Sequence, residues 1–532
     1  MATEEHPLKP TTEKPKKPNW KQKIIEIKQN ITVEPVLACY VVPSVLSRLA
    51  TQNLNLDKAC RVNKNYGDKV CDALIARQGN QYLEEELAVQ ELIAGMESWK
   101  NVLLTAIPSF LILFLGAWSD RTGKRKVCIL LPIIGELLMC LSNIVNAYYF
   151  YELPVQVTMF FEAFFPAITG GWISMYMGAF SYISDASDEE SRTFRVGVAN
   201  LCLTAGTPIG SVLSGVLLKH VGYYGVFTLS CLLYLFSIIY GFFYIQDPKT
   251  AAIKNDTKDE SSDLRGFLKS FFDIKHVRET LTVAFKKGPN HRRTKSILVL
   301  ASISFIYGSA YGEFTVRYLF CRYRFNWDAL KYSFYNTFYI VTHLVGAFVS
   351  ISLFSRRFKW DDSVLGLISN FSKIIGSLTT GFARNSTELY IAVAIETFNA
   401  TSFTALRSIS SKLVASDELG KMTSVFNLME VLTSMVFGPI YSWIYMMTIP
   451  IDAGIIYYVS TLLTIPTLMI FGWFFIQHKK NARRPNIEAI DENLEMSNNK
   501  NKKEEEEAKP SKEVSLISSI DLADEKILFN KS

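Results

Sequence analysis

Histidine is scarce in this chain of 532 residues: there are six, and only His343 falls inside an apolar run. No HExxH, no zinc-like Cys/His cluster and no serine on a recognisable strand-to-helix elbow occurs. These absences exclude the commoner metal-dependent and serine-based hydrolytic chemistries, so neither an enzyme nor a resident metal or cofactor is expected. A large excess of one sign of charge is missing too. The 56 basic and 50 acidic residues leave a net +6, and the basic excess sits in arms and loops flanking apolar runs. That placement orients a membrane protein and does not argue for nucleic acid. A cleavable leader is also not expected. The stretch before Glu34 is polar and lysine-rich, so the first apolar run is read as an uncleaved insertion signal.

Apolar sequence is abundant. Hydrophobic residues make up 49% of the chain and aromatics 13%, with charge confined mostly to the two ends, one early loop and one central segment. A helix needs about twenty apolar residues to cross the hydrocarbon core. Twelve such spans are expected: Glu34 to Gln52, Trp99 to Trp118, Val127 to Phe150, Val155 to Ile183, Val196 to Leu218, Val221 to Ile245, Ser296 to Tyr318, Lys331 to Phe354, Ser363 to Phe382, Glu388 to Leu406, Lys421 to Met446 and Ala453 to Ile476. The fold class is therefore an all-α integral membrane protein set in a lipid bilayer.

Lysine and arginine fall on one side of these spans. The N-terminal arm (1–33), the loop after Gly116, the Arg192/Arg195 loop, the Arg356/Arg357/Lys359 loop and the tail from Lys479 all share it, which places both termini in the cytosol. Two longer segments interrupt the alternation. Thr51 to Ser98 carries Cys60, Cys71 and the acidic run Glu84 to Glu86 and is expected outside. Gln246 to Lys295 is expected to be a cytosolic linker, with one interfacial amphipathic helix around Leu264 to Phe285. It divides the spans into two sets of six, 34–245 and 296–478, followed by a disordered charged tail, 479–532. Leucine pairs at Leu516-Ile517 and Ile527-Leu528 in that tail only loosely resemble sorting signals, so plasma membrane and lysosome stay open.

Cys60, Cys71 and Cys321 face the oxidising side, and a bridge between two of the three is expected, leaving one over. Either Cys60 joins Cys71, or one of them joins Cys321 and ties the halves together. Among the Asn-x-Ser/Thr sites only Asn385 is expected outside, close to the membrane.

Ionisable groups inside the spans point to mechanism, because each costs about 2.5 to 3.5 kcal/mol at the bilayer centre even on a mild scale. The candidates are Glu136, Glu162, Glu313, His343, Lys373, Glu396, Arg407 and Glu430. Glu396 and Arg407 return to one face of one helix about 16 Å apart, one toward the centre and one toward the cytosolic mouth. The competing reading is that such groups pair across helices to fix packing, as is expected of Glu136 and Lys373. Arg317 and Glu34 are expected to snorkel to the interface. Tyr307, Tyr311 and Phe314 recur at helical spacing beside Glu313, where a flat organic solute can stack; the plainer reading is helix packing. Pro208 and Pro439, each beside a glycine, occupy equivalent spans of the two halves and are expected flex points.

The stretch GAWSDRTGKRK, Gly116 to Lys126, combines glycines at a tight reversal, an acid (Asp120) and a cationic cluster (Arg121, Lys124, Arg125, Lys126). It resembles the G-x-x-x-D-R-x-G-[RK]-[RK] signature between helices two and three of major facilitator superfamily transporters. SRRFKWDD, Ser355 to Asp362, is a degenerate echo in the second half. The resemblance implies twelve helices in two pseudo-symmetric halves, alternating access, and a gating role for Asp120, Arg121, Gly123, Lys124 and Arg125.

Below the superfamily, the chain resembles solute carrier family 46, the proton-coupled folate transporter family, over nearly its whole length. VEP (Val33 to Pro35), GAWSD, SRTFR (Ser191 to Arg195), NWD (Asn326 to Asp328) and LRSISSKLV (Leu406 to Val414) carry it. The family implies that Asp120 is essential to the transport cycle and that Arg407 serves substrate or proton coupling. Asn200 and Ser309 stand where the folate transporter has a coupling glutamate and a histidine, and Gly171 where it has an aspartate, which turns the expectation away from folate. Glu313, with Glu396 and Glu162, is left as the proton site. The implied function is secondary active transport of a small organic solute, anionic or amphipathic (folate-like, muropeptide-like or sterol-conjugate-like), with protons as coupling ion. The alternative is a non-transporting receptor or scaffold on the same fold. The oligomeric state is left open.

Overall fold

The computed structural model describes residues 32–77, 81–187, 189–247, 285–286, 291–414 and 419–480. Residues 1–31 of the N-terminal arm, residues 264–284 of the amphipathic helix expected in the linker, and the Leu516-Ile517 and Ile527-Leu528 pairs of the tail lie outside these residues. Two compact units are distinguished, Met1–Ile470 and Phe471–Ser532, and the candidate site lies in the first. Among the described residues there is no strand.

The first membrane helix, α1 (Glu34–Lys58), runs past its expected end and passes through a π-helical turn, Ala59–Asn63, into the short α2 (Asp68–Ile75). α3 begins at Leu83 and continues unbroken to Thr122. The segment expected as a long outer loop is thus largely helical. The physical reason is composition: Glu84, Glu85 and Glu86 occupy the positive N-terminal turn of α3, and strong helix formers follow to Trp99. α3 stops at Gly123, whose φ of +68° takes the left-handed conformation while its N–H donates to Ser119 O at 2.9 Å.

α4 (Arg125–Tyr148) covers the third span. The fourth is divided into α5 (Val155–Ile168) and α6 (Gly171–Asp185) by Gly170 and Gly171, with φ of +90° and +58°. α7 (Glu189–Tyr244) carries the fifth and sixth spans, separated by the break at Gly222. Pro208 lies in this helix without a break of its own.

In the second set, α8 (Arg292–Phe325) is followed by α9 (Ala329–Val349), N-capped by Asp328 of the NWD motif, whose side chain accepts from Lys331 N. A π-helical stretch, Ser350–Arg357, prolongs α9. α10 (Asp362–Phe382) is capped by Asp361, and α11 (Ser386–Ile395) by Asn385. α11 tightens into a 3-10 turn, Glu396–Phe398, before α12 (Ala400–Lys412). α13 (Leu419–Thr448) contains Pro439, and α14 (Ile455–Lys480) closes the described chain.

All twelve expected spans lie mostly on helical backbone, and among the described residues seven helices are long and apolar enough to cross a membrane, the longest holding two of the spans. The chain is a multi-pass, all-α membrane protein. Helices α1, α4, α6 and α7 pack around Leu37, Tyr40, Ile133, Met175 and Tyr234. A second core around Cys60, Ile93, Phe320, Trp327, Tyr441 and Tyr445 joins the two sets at the end that carries the bridged cysteines.

Candidate functional site

Lys373 on α10 stands between two carboxylates drawn from other helices. Its Nζ lies 2.8 Å from both oxygens of Glu313 on α8 and 2.7 Å from Glu396 Oε1. All three residues are buried. The 3-10 turn that follows α11 aims Glu396 inward, and Asn399 Nδ2 donates to the same carboxylate at 2.8 Å. Gly376, one turn along α10, makes room, because a Cβ there would lie 2.7 Å from Glu396 Cβ. Two carboxylates against one ammonium leave one negative charge over in a buried site, which is where a proton is accommodated most readily.

The first set of helices repeats the chemistry. Lys100 Nζ is 2.5 Å from Glu97 Oε1 on its own helix and 2.9 Å from Glu162 Oε1 on α5. Asn55 Nδ2 of α1 donates to the other oxygen of Glu162 at 3.0 Å. Each half therefore holds a lysine between two glutamates, with an asparagine amide on one of them.

An aromatic run lies along α8 toward α12. Tyr307 and Tyr311 are stacked with ring centroids 6.1 Å apart, Phe314 follows Tyr311 at 6.3 Å, and Phe403 of α12 meets Tyr307 at 6.1 Å. Arg407 lies over Phe403 at 5.0 Å and Phe426 at 5.4 Å, while its Nη2 donates to Glu430 at 2.8 Å and Asn427 at 3.0 Å. At the other end Arg48 of α1 lies over Phe314, 4.3 Å from the ring centroid.

Several expectations are corrected. Glu396 and Arg407 lie on one helical stretch, Ser386–Lys412, but the 3-10 turn at Glu396–Phe398 changes its pitch between them, so they do not return to one face of a regular helix. Glu396 pairs with Lys373 and Arg407 with Glu430. Arg317 and Glu34 do not snorkel; both are buried. Arg317 lies 3.8 Å over the Tyr339 ring, and Glu34 pairs with Arg195 at 3.3 Å while accepting from Thr32 N and Val33 N. His343 stacks on Tyr339 at 4.1 Å. Lys373 does pair across helices, at the centre of the buried network.

Asn200 is exposed, and its carbonyl accepts from the Thr204 hydroxyl; Ser309 is buried and donates to Ile306 O at 3.1 Å. Neither is brought into a lysine–glutamate cluster. Asp120 and Arg121 lie in the last turn of α3, their side chains outside the described residues. Lys124 is exposed, and Arg125 reaches Asp185 at 2.8 Å and Ser119 Oγ at 3.1 Å. In the echo loop, Asp362 accepts from Ser408 Oγ and from Lys412 Nζ, both at 2.6 Å.

The bridge forms between Cys60 and Cys71, with Cα atoms 5.9 Å apart, and Cys321 is a buried thiol. The two sets of helices are latched at this end. Arg322 Nε donates to Glu86 at 2.8 Å, Tyr445 to Gln90 at 3.0 Å, Tyr318 to Asn53 at 2.7 Å and Asn336 to Ser211 at 2.9 Å. Arg77, 3.6 Å from Glu86, joins the latch, and burial with the nearby Arg322 charge pulls its guanidinium down to about 10. At the opposite end the ion pairs Arg125–Asp185, Arg195–Glu34 and Lys412–Asp362 each stay within one set.

The comparisons with known proteins agree with this geometry. Residues 81–439 match the Major Facilitator Superfamily model. A lysosomal proton-coupled steroid conjugate and bile acid symporter from Gallus gallus is 24% identical, over 83% of this chain and 93% of that protein. A probable peptidoglycan muropeptide transporter from Drosophila melanogaster is 24% identical, over 84% of this chain and 86% of that one. The crystal structure of the human organic anion transporter TETRAN superposes with a TM-score of 0.54 at 14% identity, covering 84% of this chain and 99% of that one, a likeness of fold. The chain belongs to the Major Facilitator Superfamily. Its relatives support solute carrier family 46 as its branch, so it is a secondary transporter of small organic solutes and not an enzyme.

Proposed function

We propose that this carrier moves an organic, anionic or amphipathic solute together with protons by alternating access between two six-helix halves, 34–245 and 296–478, with both termini in the cytosol. The observation that carries the proposal is the Glu313–Lys373–Glu396 cluster, in which one buried ammonium faces two carboxylates. With a proton on one carboxylate the cluster is neutral, and without it the cluster holds an uncompensated charge in the membrane, so the helices around it reorient at different cost in the two states. The Glu97–Lys100–Glu162 cluster supplies the same chemistry in the first half.

The latch at the disulfide end supports a conformation closed to the outside and open toward the cytosol. Relatives described as proton-coupled and lysosomal support an acidic lumen as the proton source and the lysosomal membrane as the location. The test is uptake of a folate, a muramyl dipeptide and a sulfated steroid into proteoliposomes with an inward proton gradient, beside Glu313→Gln. Acid-stimulated uptake of one solute that Glu313→Gln abolishes supports the proposal. Uptake equal with and without the gradient contradicts it.

A further inference from the structure

Resting on the carrier reading above, we infer that Arg48 is the anchor for the solute's anionic group, and that the rings from Phe314 to Phe403 receive its flat apolar body.

Position is the first argument. Arg48 lies fourteen residues after Glu34 and ten before Lys58 on α1, near the middle of a membrane helix. A cation in the middle of a membrane helix is costly, so an arginine held at that depth needs a compensating role. The second argument is the missing counter-ion. Lys100, Lys373, Arg195, Arg322 and Arg407 are each paired with a carboxylate. Arg48 is exposed and, among the described residues, has neither a hydrogen bond nor an ion pair; it lies over the Phe314 face. The carboxylates on which its charge acts are Glu97 and Glu136. Glu97 and Glu162 are already bonded to Lys100, and Glu136 stands beside Tyr40 and Tyr234.

The contact with Phe314 leaves the guanidinium N–H groups uncommitted, since none makes a hydrogen bond among the described residues. A free guanidinium fork takes a sulfate, carboxylate or phosphate in a bidentate way. Phe314 belongs to α8, so an anion on Arg48 would touch both sets of helices, as a solute that drives their rearrangement must. At the far end of the run Arg407 is already neutralised by Glu430. The Phe314 end of the run therefore holds a cation with no carboxylate of the described residues at ion-pair distance, and an aromatic track leads away from it. The chemical class that fits is a flat, largely apolar monoanion with its charge at one end.

The experiment is equilibrium binding to the full chain in lipid nanodiscs, with estrone sulfate and uncharged estrone as the pair of probes. Arg48→Ala should weaken estrone sulfate by about tenfold or more, the loss of a charge-assisted fork, and leave estrone within about twofold. Arg48→Lys should recover part of the loss. Because no carboxylate of the described residues lies at ion-pair distance from Arg48, the variants should fold, which monodispersity and thermal melting check. Equal binding of the sulfate to wild type and Arg48→Ala, or equal losses for both probes, overturns the anchor while leaving the carrier reading standing. Arg48-dependent binding without flux in any gradient keeps the anchor and sinks the carrier. A wild type that binds neither probe overturns the assigned ligand class.

Discussion

Lys373 Nζ sits 2.8 Å from Glu313 and 2.7 Å from Glu396, so one ammonium on α10 ties α8 to the turn between α11 and α12. Three helices meet on a single buried charge. With one proton on a carboxylate the arrangement is neutral, and without it one negative charge is left over.

Removing the lysine should therefore be far worse than removing either acid. Lys373→Met leaves two carboxylates facing each other without a cation, and breaking such a pair costs about 3 to 5 kcal/mol. The triple variant Lys373→Met, Glu313→Gln, Glu396→Gln should recover most of the melting temperature and none of the acid-stimulated flux. Melting in detergent and proteoliposome uptake, run on both proteins, check this.

Arg322→Gln should loosen the latch. It removes the cation bonded to Glu86, an interaction between the two sets of helices. The buried thiol of Cys321, next in sequence, should then alkylate faster, by about an order of magnitude if the latch contributes 1.4 kcal/mol or more. Site-resolved mass spectrometry of maleimide labelling reads it, with the membrane-helix cysteines as internal controls.

Replacing Cys60 and Cys71 by serine should cost stability without stopping transport. The bridge closes a loop with a sequence separation of 11, for which chain entropy gives about 3 kcal/mol at most. Arg61, bonded to Asp57 at 2.7 Å and Asp68 at 2.5 Å and also to Asp72, holds the same turn without the bridge. Non-reducing peptide mapping should find the Cys60–Cys71 link and an alkylatable Cys321.

Arg407→Ala should separate transport from folding. Its side chain is half exposed and its pair with Glu430 partly screened, so the melting temperature should move little. Uptake should fall strongly if Arg407 serves coupling. A large loss of stability with normal uptake per folded molecule would assign it to packing instead.

Arg48→Leu should leave the protein as stable as wild type or more so, since it exchanges an unpaired charge in a membrane helix for an apolar side chain. A site kept at a cost to stability is the mark of function. Melting of wild type and variant side by side tests it.

Much of this was legible in the sequence, and the misses have physical causes. The apolar spans stand out because lipid demands about twenty uncharged residues in a row. The helical character of 83–98 was hidden because its glutamates read as a loop, whereas they serve the N-terminal turn of α3. Glu97 and Lys100 fell at or beyond the edge of the expected second span, although their i,i+3 spacing was a usable signal. Arg48 carried the plainest signal, a lone cation in an apolar helix, and it went unused beside the acids. Which acids share one lysine was not legible at all, because Glu313, Lys373 and Glu396 come from separate helices and meet only in the folded chain.

The central claim is that solute and protons move together. Its most direct test places the purified protein in liposomes containing a pH-sensitive dye, with no imposed proton gradient, and adds a solute gradient of estrone sulfate. The account predicts that solute entry acidifies the interior, and that Glu313→Gln carries solute without the proton signal or carries none. Solute entry in the wild type with no change in internal pH would contradict it.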